Sequence, residues 1–421
     1  MHSAVRHWHV LVIFFLIPAL CFSQDTTQQK VAGRRNLPAQ QQKPYLILIS
    51  ADGFRYDYIT KYNATNLQRF SSDGVQAESM KPSFPSVTFP NHYSVATGMY
   101  PSHHGIVYNQ FYDRNKKATY NMADRKAVEQ GGWYGGIPLW VLAEQQGMVT
   151  ASYHFVGTEA PIQGIYPSYW YVFSNKIDID RRIATVGNWL RLPEAERPHL
   201  ITFYMSNTDD AGHHYGPEAP QTRDAVRFVD AAIGKLVAEV QQTGLPVNFI
   251  FLADHGMATV DTVFRLDPSA VIDTAKFILR GGGTSLHVYA KEKKDIKPLY
   301  KKLKAGEVDY DVYLRDQIPA AWHYSTKDDT LGRIGDLFLV PHYPKVFSRP
   351  GSMISPGAHG FDPVMKAMHA TFCAWGPAFR EGIWIPTFEN VNVYPLVCRI
   401  LGLSYTHAID GRPEVLAPVL K

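Results

Sequence analysis

Three short runs of the chain are almost continuously apolar: YLILIS at 45–50, HLITFYM at 199–205 and VNFIFLA at 247–253. Each has strand length and lacks the polar alternate positions of a half-solvated strand, so each is predicted as a central strand buried on both faces. Between the second and third, Val226, Val229, Ile233, Leu236 and Val240 recur at helical spacing. They predict an amphipathic helix from about Pro220 to Thr243, which Gly244 stops. Strand and helix patterns alternate in this way from Tyr45 onward, the signature of an α/β fold with a mainly parallel sheet. Residues of about 280–345 form a smaller α+β subregion, with strands in SLHVYAK and DLFLVP and a Lys-rich helix near 295–304. Those lysines read as a solvated face.

The N-terminus follows a different pattern. Arg6 precedes an apolar run from Val10 to Leu20, and Cys21-Phe22-Ser23 places small side chains where a signal peptidase reads them. The run falls short of the ~20 apolar residues of a membrane-spanning helix, so residues 1–23 are expected to be a secretory signal cleaved near Ser23. Polar, Gln-rich residues 24–43 are expected to be a disordered leader, followed by one catalytic domain over 44–421. The chain of 421 residues is 45% hydrophobic with a net charge of +4, which argues against a polyanion-coating protein and leaves small molecules as partners, with no sequence-specific nucleic acid and no membrane span. Cys373 and Cys398 both lie in core-like patterns and are not spaced as a thiolate metal site. Asn63-Ala-Thr65 is a glycosylation acceptor if a eukaryotic secretory pathway makes the chain.

Each buried strand ends in an acid within a glycine-bearing turn: Asp52 in ADG, Asp209 in DDAGH and Asp254 in ADHG. Ligands of open α/β sheets bind beyond the carboxyl ends of the strands. Three acids converging there repel one another unless cations hold them. One strand-end aspartate alone reads as a cap or turn residue; three together do not. His213 follows Asp209 by four, His255 adjoins Asp254, and His359 sits in GAHGF. Carboxylate oxygen with imidazole nitrogen suits zinc better than calcium or magnesium. Three of each are too many for one tetrahedral ion and suit two Zn²⁺, the arrangement that clamps the attacking and leaving oxygens of a phosphoryl displacement.

Such ions would activate a hydroxyl, and KPSFPSVTFPNHYSVATG at 81–98 offers several. Thr88 is the best placed. It stands two residues before Pro90, at the first turn of a predicted short helix whose dipole favours an anionic oxygen and an incoming phosphate. Ser83 and Ser86 read as turn formers, Ser94 as a helix residue, and His92, His103 and His104 as structural.

ADGFR, TFPNHYSVATGMYPSHHGIVYN, GGIPLW, DDAGHHYGP, ADHGM, RIGDLFLV and GAHGFDP, in this order, resemble the nucleotide pyrophosphatase/phosphodiesterases of the alkaline phosphatase superfamily. The likeness runs from about Tyr45 to the C-terminus. The superfamily's sulfatase branch is disfavoured, because Thr88 is followed by Phe-Pro-Asn and not by x-Pro-x-Arg. The resemblance implies an alkaline-phosphatase-like fold and a Thr88 nucleophile that becomes transiently phosphorylated. It implies one zinc on Asp209, His213 and His359 and another on Asp52, Asp254, His255 and Thr88. Asn109 would hold a non-bridging phosphate oxygen with the Thr88 N–H. Phe89 and a second aromatic, Tyr169 or Trp170, would flank the nucleotide base. The expected activity is hydrolysis of nucleotide phosphodiester or pyrophosphate bonds. A choline or lipid-headgroup phosphodiesterase is the alternative, with an inactive phosphate-ligand binding protein behind it. A monoesterase fits less well, because no arginine accompanies the nucleophile to neutralise a dianionic phosphate; Arg55 is the nearest candidate.

Overall fold

A computed structural model describes residues 26–421; the expected signal segment lies outside the described residues. Its nine-stranded sheet runs in the order Gln28–Lys30, Tyr169–Tyr171, Thr150–Tyr153, Leu200–Met205, Tyr45–Ala51, Val247–Leu252, Phe372–Trp375, Val75–Ala77, Ile383–Ile385. The three apolar runs are its centre. Tyr45–Ala51 lies between the other two and pairs with both in parallel. All their residues are buried, as expected for strands covered by helices on both faces. The antiparallel pairings lie further out, where Gln28–Lys30 meets Tyr169–Tyr171 and where Phe372–Trp375 meets its two neighbours.

Register positions the site. Ser50 pairs with Leu252 on one side and with Tyr204 on the other, so the three central strands end level. Asp52 and Asp254 leave the sheet side by side, and Asp209 follows in the first turn of the helix Asn207–Tyr215. The helix Pro220–Gln241 then buries Val226, Val229, Ile233, Leu236 and Val240, the stripe its sequence period predicts.

The smaller subregion is a four-stranded antiparallel sheet, Phe277–Gly282, Ser285–Ala290, Leu337–Pro341 and Tyr310–Leu314. Leu299 and Leu303 of the helix Ile296–Ala305 share its own apolar core. Among the described residues no helix is long and apolar enough to cross a membrane. Cys373 and Cys398 are both free and buried.

The expected disordered leader is corrected over its described part. Gln28–Lys30 adds an antiparallel edge strand to Tyr169–Tyr171, and Pro38–Gln41 is a helical turn. Asn36 is buried; its Nδ2 donates to the carbonyls of Glu194 (2.9 Å) and Arg197 (2.7 Å), and its Oδ1 accepts the Val149 N–H at 2.7 Å. Amide side chains here substitute for apolar burial by satisfying backbone groups at the sheet edge, a role that hydrophobic periodicity does not register.

Candidate active site

Thr88 opens the helix Thr88–Thr97, which ends at Gly98 with φ 68°. Val87 at the cap supplies no side-chain hydrogen bond, Pro90 has no N–H, and the Phe89 N–H donates to Asn109 Oδ1 at 2.9 Å. The Thr88 N–H, among the first of the helix, has no intrahelical partner. The same bond orients the Asn109 amide toward this turn. Thr88 Oγ1 lies 3.3 Å from His255 Nε2.

The acids and imidazoles surround that hydroxyl. Asp52 Oδ1 is 3.4 Å and Asp254 Oδ2 3.0 Å from His255 Nε2. Asp209 Oδ1 is 3.4 Å from His213 Nε2 and 3.5 Å from His359 Nε2. These three carboxylate oxygens are buried with no hydrogen-bond partner. In each histidine the other ring nitrogen is occupied. Nδ1 of His213, His255 and His359 lies 2.9 Å from the carbonyls of Gly357, Gly256 and Ser86, respectively. An Nδ1–H donated to a carbonyl leaves the Nε2 lone pair for a cation. Gly53 permits the turn after Tyr45–Ala51 to approach the helix Asn207–Tyr215: its φ is 66°, and a Cβ there would meet Asp209 Cα at 3.0 Å.

The charges point the same way. Burial, then Asp254 and Asp209, push the Asp52 carboxyl well above its usual range. Burial chiefly, together with Asp254, moves Asp209 up to about 7. Burial alone would lower His255, but Asp254, Asp52 and Asp209 raise it to about 10. Burial and the neighbouring His255 and His213 hold His359 well below its usual value. Without metal, the cluster acquires positive charge by protonating the imidazole that faces most carboxylates, which is the demand a cation would meet. Two groups of ligand atoms lie close enough to hold an ion: Asp52, Asp254 and His255, and Asp209, His255 and His359, with the atoms of each group within 4.8 Å of one another. His255 belongs to both. His213 falls outside them but faces the same Asp209 oxygen.

Beside Thr88 opens a cavity of about 450 Å³ lined by Phe89, Val128, His154, Glu159, Phe173 and Tyr204, and reaching Asp52 and Asp209. Aromatic rings on the walls and ionisable groups at one end suit a flat apolar group carrying an anion.

The sequence profile of the type I phosphodiesterase / nucleotide pyrophosphatase family matches residues 46–362. The chain belongs to that family. Venom phosphodiesterase CdcPDE of Crotalus durissus collilineatus is 33% identical over 387 residues, 89% of this chain and 46% of the relative. Bis(5'-adenosyl)-triphosphatase enpp4 of Xenopus laevis is 32% identical over 372 residues, 87% of this chain and 80% of the relative. The solved structure of murine ectonucleotide pyrophosphatase / phosphodiesterase 5 superposes with a TM-score of 0.84 at 25% identity, covering 90% of this chain and 100% of that one. The fold is alkaline-phosphatase-like. This chain spans less than half the length of the venom relative.

Within this phosphodiesterase-family fold, Thr88, Phe89, Asp52, Asp209, His213, Asp254, His255, His359 and Asn109 all converge on one edge of the central sheet. Tyr169 and Trp170 do not join them. Their strand, Tyr169–Tyr171, lies at the far side of the sheet, where Tyr169 is buried near Trp189 and Trp170 stacks on Tyr166 at 4.5 Å. Phe173, just past the strand, reaches the cavity instead. Where the strand Tyr169–Tyr171 ends decides which aromatic of SYWYVF lines the cavity. Arg55 pairs with Asp57 at 2.7 Å and Glu218 at 2.9 Å, away from the cavity. His103 binds Asp410 at 2.8 Å, and His104 lies against Ser94 and Pro90. His92 is closer to the chemistry than its neighbours. Its Nδ1 is 3.0 Å from the Thr88 carbonyl and 3.2 Å from Asp254 Oδ2, and its Nε2 is 2.8 Å from Ser50 Oγ. Tyr204 was hidden in an apolar strand: its hydroxyl donates to Asp52 Oδ2 at 2.7 Å.

Proposed function

We propose that this chain is an exported, zinc-dependent hydrolase that cleaves nucleotide phosphodiester or pyrophosphate bonds to nucleoside monophosphates, through a phospho-threonine at Thr88. The observation that carries the reading is the position of the Thr88 hydroxyl. It stands at the first turn of an uncapped helix, 3.3 Å from His255 Nε2, at the mouth of a cavity walled by Phe89 and Phe173. The name of the Xenopus relative, a bis(5'-adenosyl)-triphosphatase, supports a nucleotide substrate. The apolar run from Val10 to Leu20 supports export with cleavage near Ser23.

Asp52, Asp254 and His255 with Thr88 would hold one Zn²⁺, and Asp209, His213 and His359 the other. When bound, the ions lower the pKa of an adjacent hydroxyl and offset charge on the phosphoryl group. Thr88 Oγ1 forms the new bond to phosphorus as the bond to the leaving group breaks. The Thr88 N–H, at the positive end of its helix, and the Asn109 amide hold the non-bridging oxygens where charge develops. Water then cleaves the Thr88–phosphate ester and restores the hydroxyl. Phe89 and Phe173 supply the faces on which a base stacks. A choline headgroup would want an acid for its ammonium, and Glu159, the acid beside Phe173, already binds Arg125 at 2.6 Å and the Phe173 N–H at 2.7 Å.

The test is turnover of thymidine 5′-(p-nitrophenyl phosphate) by Thr88→Ala. Loss of about a thousandfold or more is expected for a nucleophile; undiminished turnover ends the assignment. Chelation should abolish the wild-type rate and zinc restore it, whereas full restoration by magnesium alone would overturn the ligand reading. Faster turnover of p-nitrophenyl phosphorylcholine than of the thymidine ester would favour the headgroup reading.

A further inference from the structure

His154 has three features that the reaction at Thr88 does not use. It follows the strand Thr150–Tyr153 with φ 64°, a left-handed backbone that costs a non-glycine residue on the order of 1 kcal/mol or more. The residue is 4% exposed and lines the cavity, with its ring centroid 5.2 Å from that of Phe173. Its Nε2 has no hydrogen-bond partner. The bond its other nitrogen makes to the Val172 carbonyl accounts for one side of the ring; the buried, unpaired Nε2 is a cost that this bond leaves unexplained.

The buried acid beside it is already bonded. Both Glu159 oxygens are taken, by Arg125 and by the Phe173 N–H. Apart from the metal-facing carboxylate oxygens, His154 Nε2 is the unpartnered buried polar atom of the cavity among the described residues. Burial, helped by the charges of Arg182 and Arg125, pushes the ring's pKa down to about 3, against a hydrogen bond to the Val172 carbonyl. The ring is therefore neutral near pH 7. With its bonded nitrogen donating to Val172, Nε2 presents a lone pair: it accepts and cannot donate.

We propose that His154 is a specificity-determining residue that accepts, through Nε2, a hydrogen bond from an exocyclic amino group of the base, so that the site prefers adenine and cytosine nucleotides to their oxo counterparts, hypoxanthine and uracil. The proposal rests on the nucleotide reading of the cavity given above. An oxo group in the same place sets lone pair against lone pair and leaves both buried acceptors unpaired, the situation in which a hydrogen-bonding site discriminates most strongly.

The experiment compares kcat/KM for the 5′-(p-nitrophenyl phosphate) esters of adenosine and inosine, and of cytidine and uridine, in wild type and His154→Phe. Bis(p-nitrophenyl) phosphate, which has no base, is the control. Wild type is expected to favour the amino base by about tenfold or more, mostly through KM. His154→Phe should bring each ratio close to one, with turnover of the control showing that the variant is folded and active. The same ratio should appear in the Kd of AMP against IMP for Thr88→Ala, and vanish when His154→Phe is added. Should His154→Phe fail to fold, His154→Asn tolerates the left-handed backbone and stops short of the imidazole's reach. Amino and oxo bases used equally by wild type, or an unchanged ratio in the folded variants, would overturn the proposal. If the control and p-nitrophenyl phosphorylcholine are turned over but no nucleoside ester is, the nucleotide reading falls and this proposal falls with it.

Discussion

Tyr204 donates its hydroxyl to Asp52 Oδ2 at 2.7 Å, and that single bond determines which oxygen of Asp52 is left for a cation. Oδ1 remains buried and unpartnered, 3.4 Å from His255 Nε2. Both residues sit at the level carboxyl ends of adjacent parallel strands, so sheet register sets their separation.

Removing the hydroxyl with Tyr204→Phe frees Oδ2 and lets the carboxylate rotate. Outer hydrogen bonds to metal ligands typically contribute tenfold to hundredfold in affinity. Tyr204→Phe should therefore weaken zinc binding by about tenfold, measured by competition with a chromophoric chelator. The loss in urea-unfolding stability of the metal-free protein should be only ~1 kcal/mol. Unaltered zinc affinity would show that Tyr204 is merely core.

The central strands and the long helix were legible because their information is local. Continuous apolar runs and a period of 3.6 are written in neighbouring residues, and the strand YLILIS appears as Tyr45–Ala51. The clustering of the acids was legible for a related reason: a strand-end Asp lies where parallel register must bring it. Two things were not legible. Asn36 joins residues far apart in sequence through amide bonds, so the polar stretch around it reads as disordered although its described part is docked. Phe173 and Trp170 are chemically similar and close in sequence. Which of them meets the cavity depends on where the edge strand ends, and no pattern within SYWYVF fixes that.

Acid stability offers a test of the buried histidines. His104, His154 and His287 are buried, and burial lowers the pKa of each to about 3. In the unfolded chain a histidine titrates near ~6.5. Between these values the unfolded state binds a proton that the folded state refuses, so stability is complete above pH ~6.5 and falls as pH decreases toward 3. Each histidine can contribute up to ~1.4 kcal/mol per pH unit. Raised carboxylates such as Asp209 act in the opposite sense, so the useful quantity is a difference. Relative to wild type, His154→Phe should gain urea-unfolding stability steadily between pH 6.5 and 4. A gap independent of pH would mean that the His154 ring is protonated in the fold.

The two aromatic candidates separate cleanly by substitution. Phe173 lines the cavity beside Thr88, whereas Trp170 stacks on Tyr166 at the sheet edge. Stacking a base on one aromatic ring is worth ~1–3 kcal/mol. Phe173→Ala should raise KM for nucleoside p-nitrophenyl esters by about tenfold while leaving bis(p-nitrophenyl) phosphate turnover near wild type. Trp170→Ala removes a ring that touches Tyr166 and no substrate, so it should lower the unfolding midpoint without changing the ratio of the two substrates. If Trp170→Ala raised KM and Phe173→Ala did not, the base would lie on the far side of the sheet's edge, and the cavity beside Thr88 would hold some other part of the substrate.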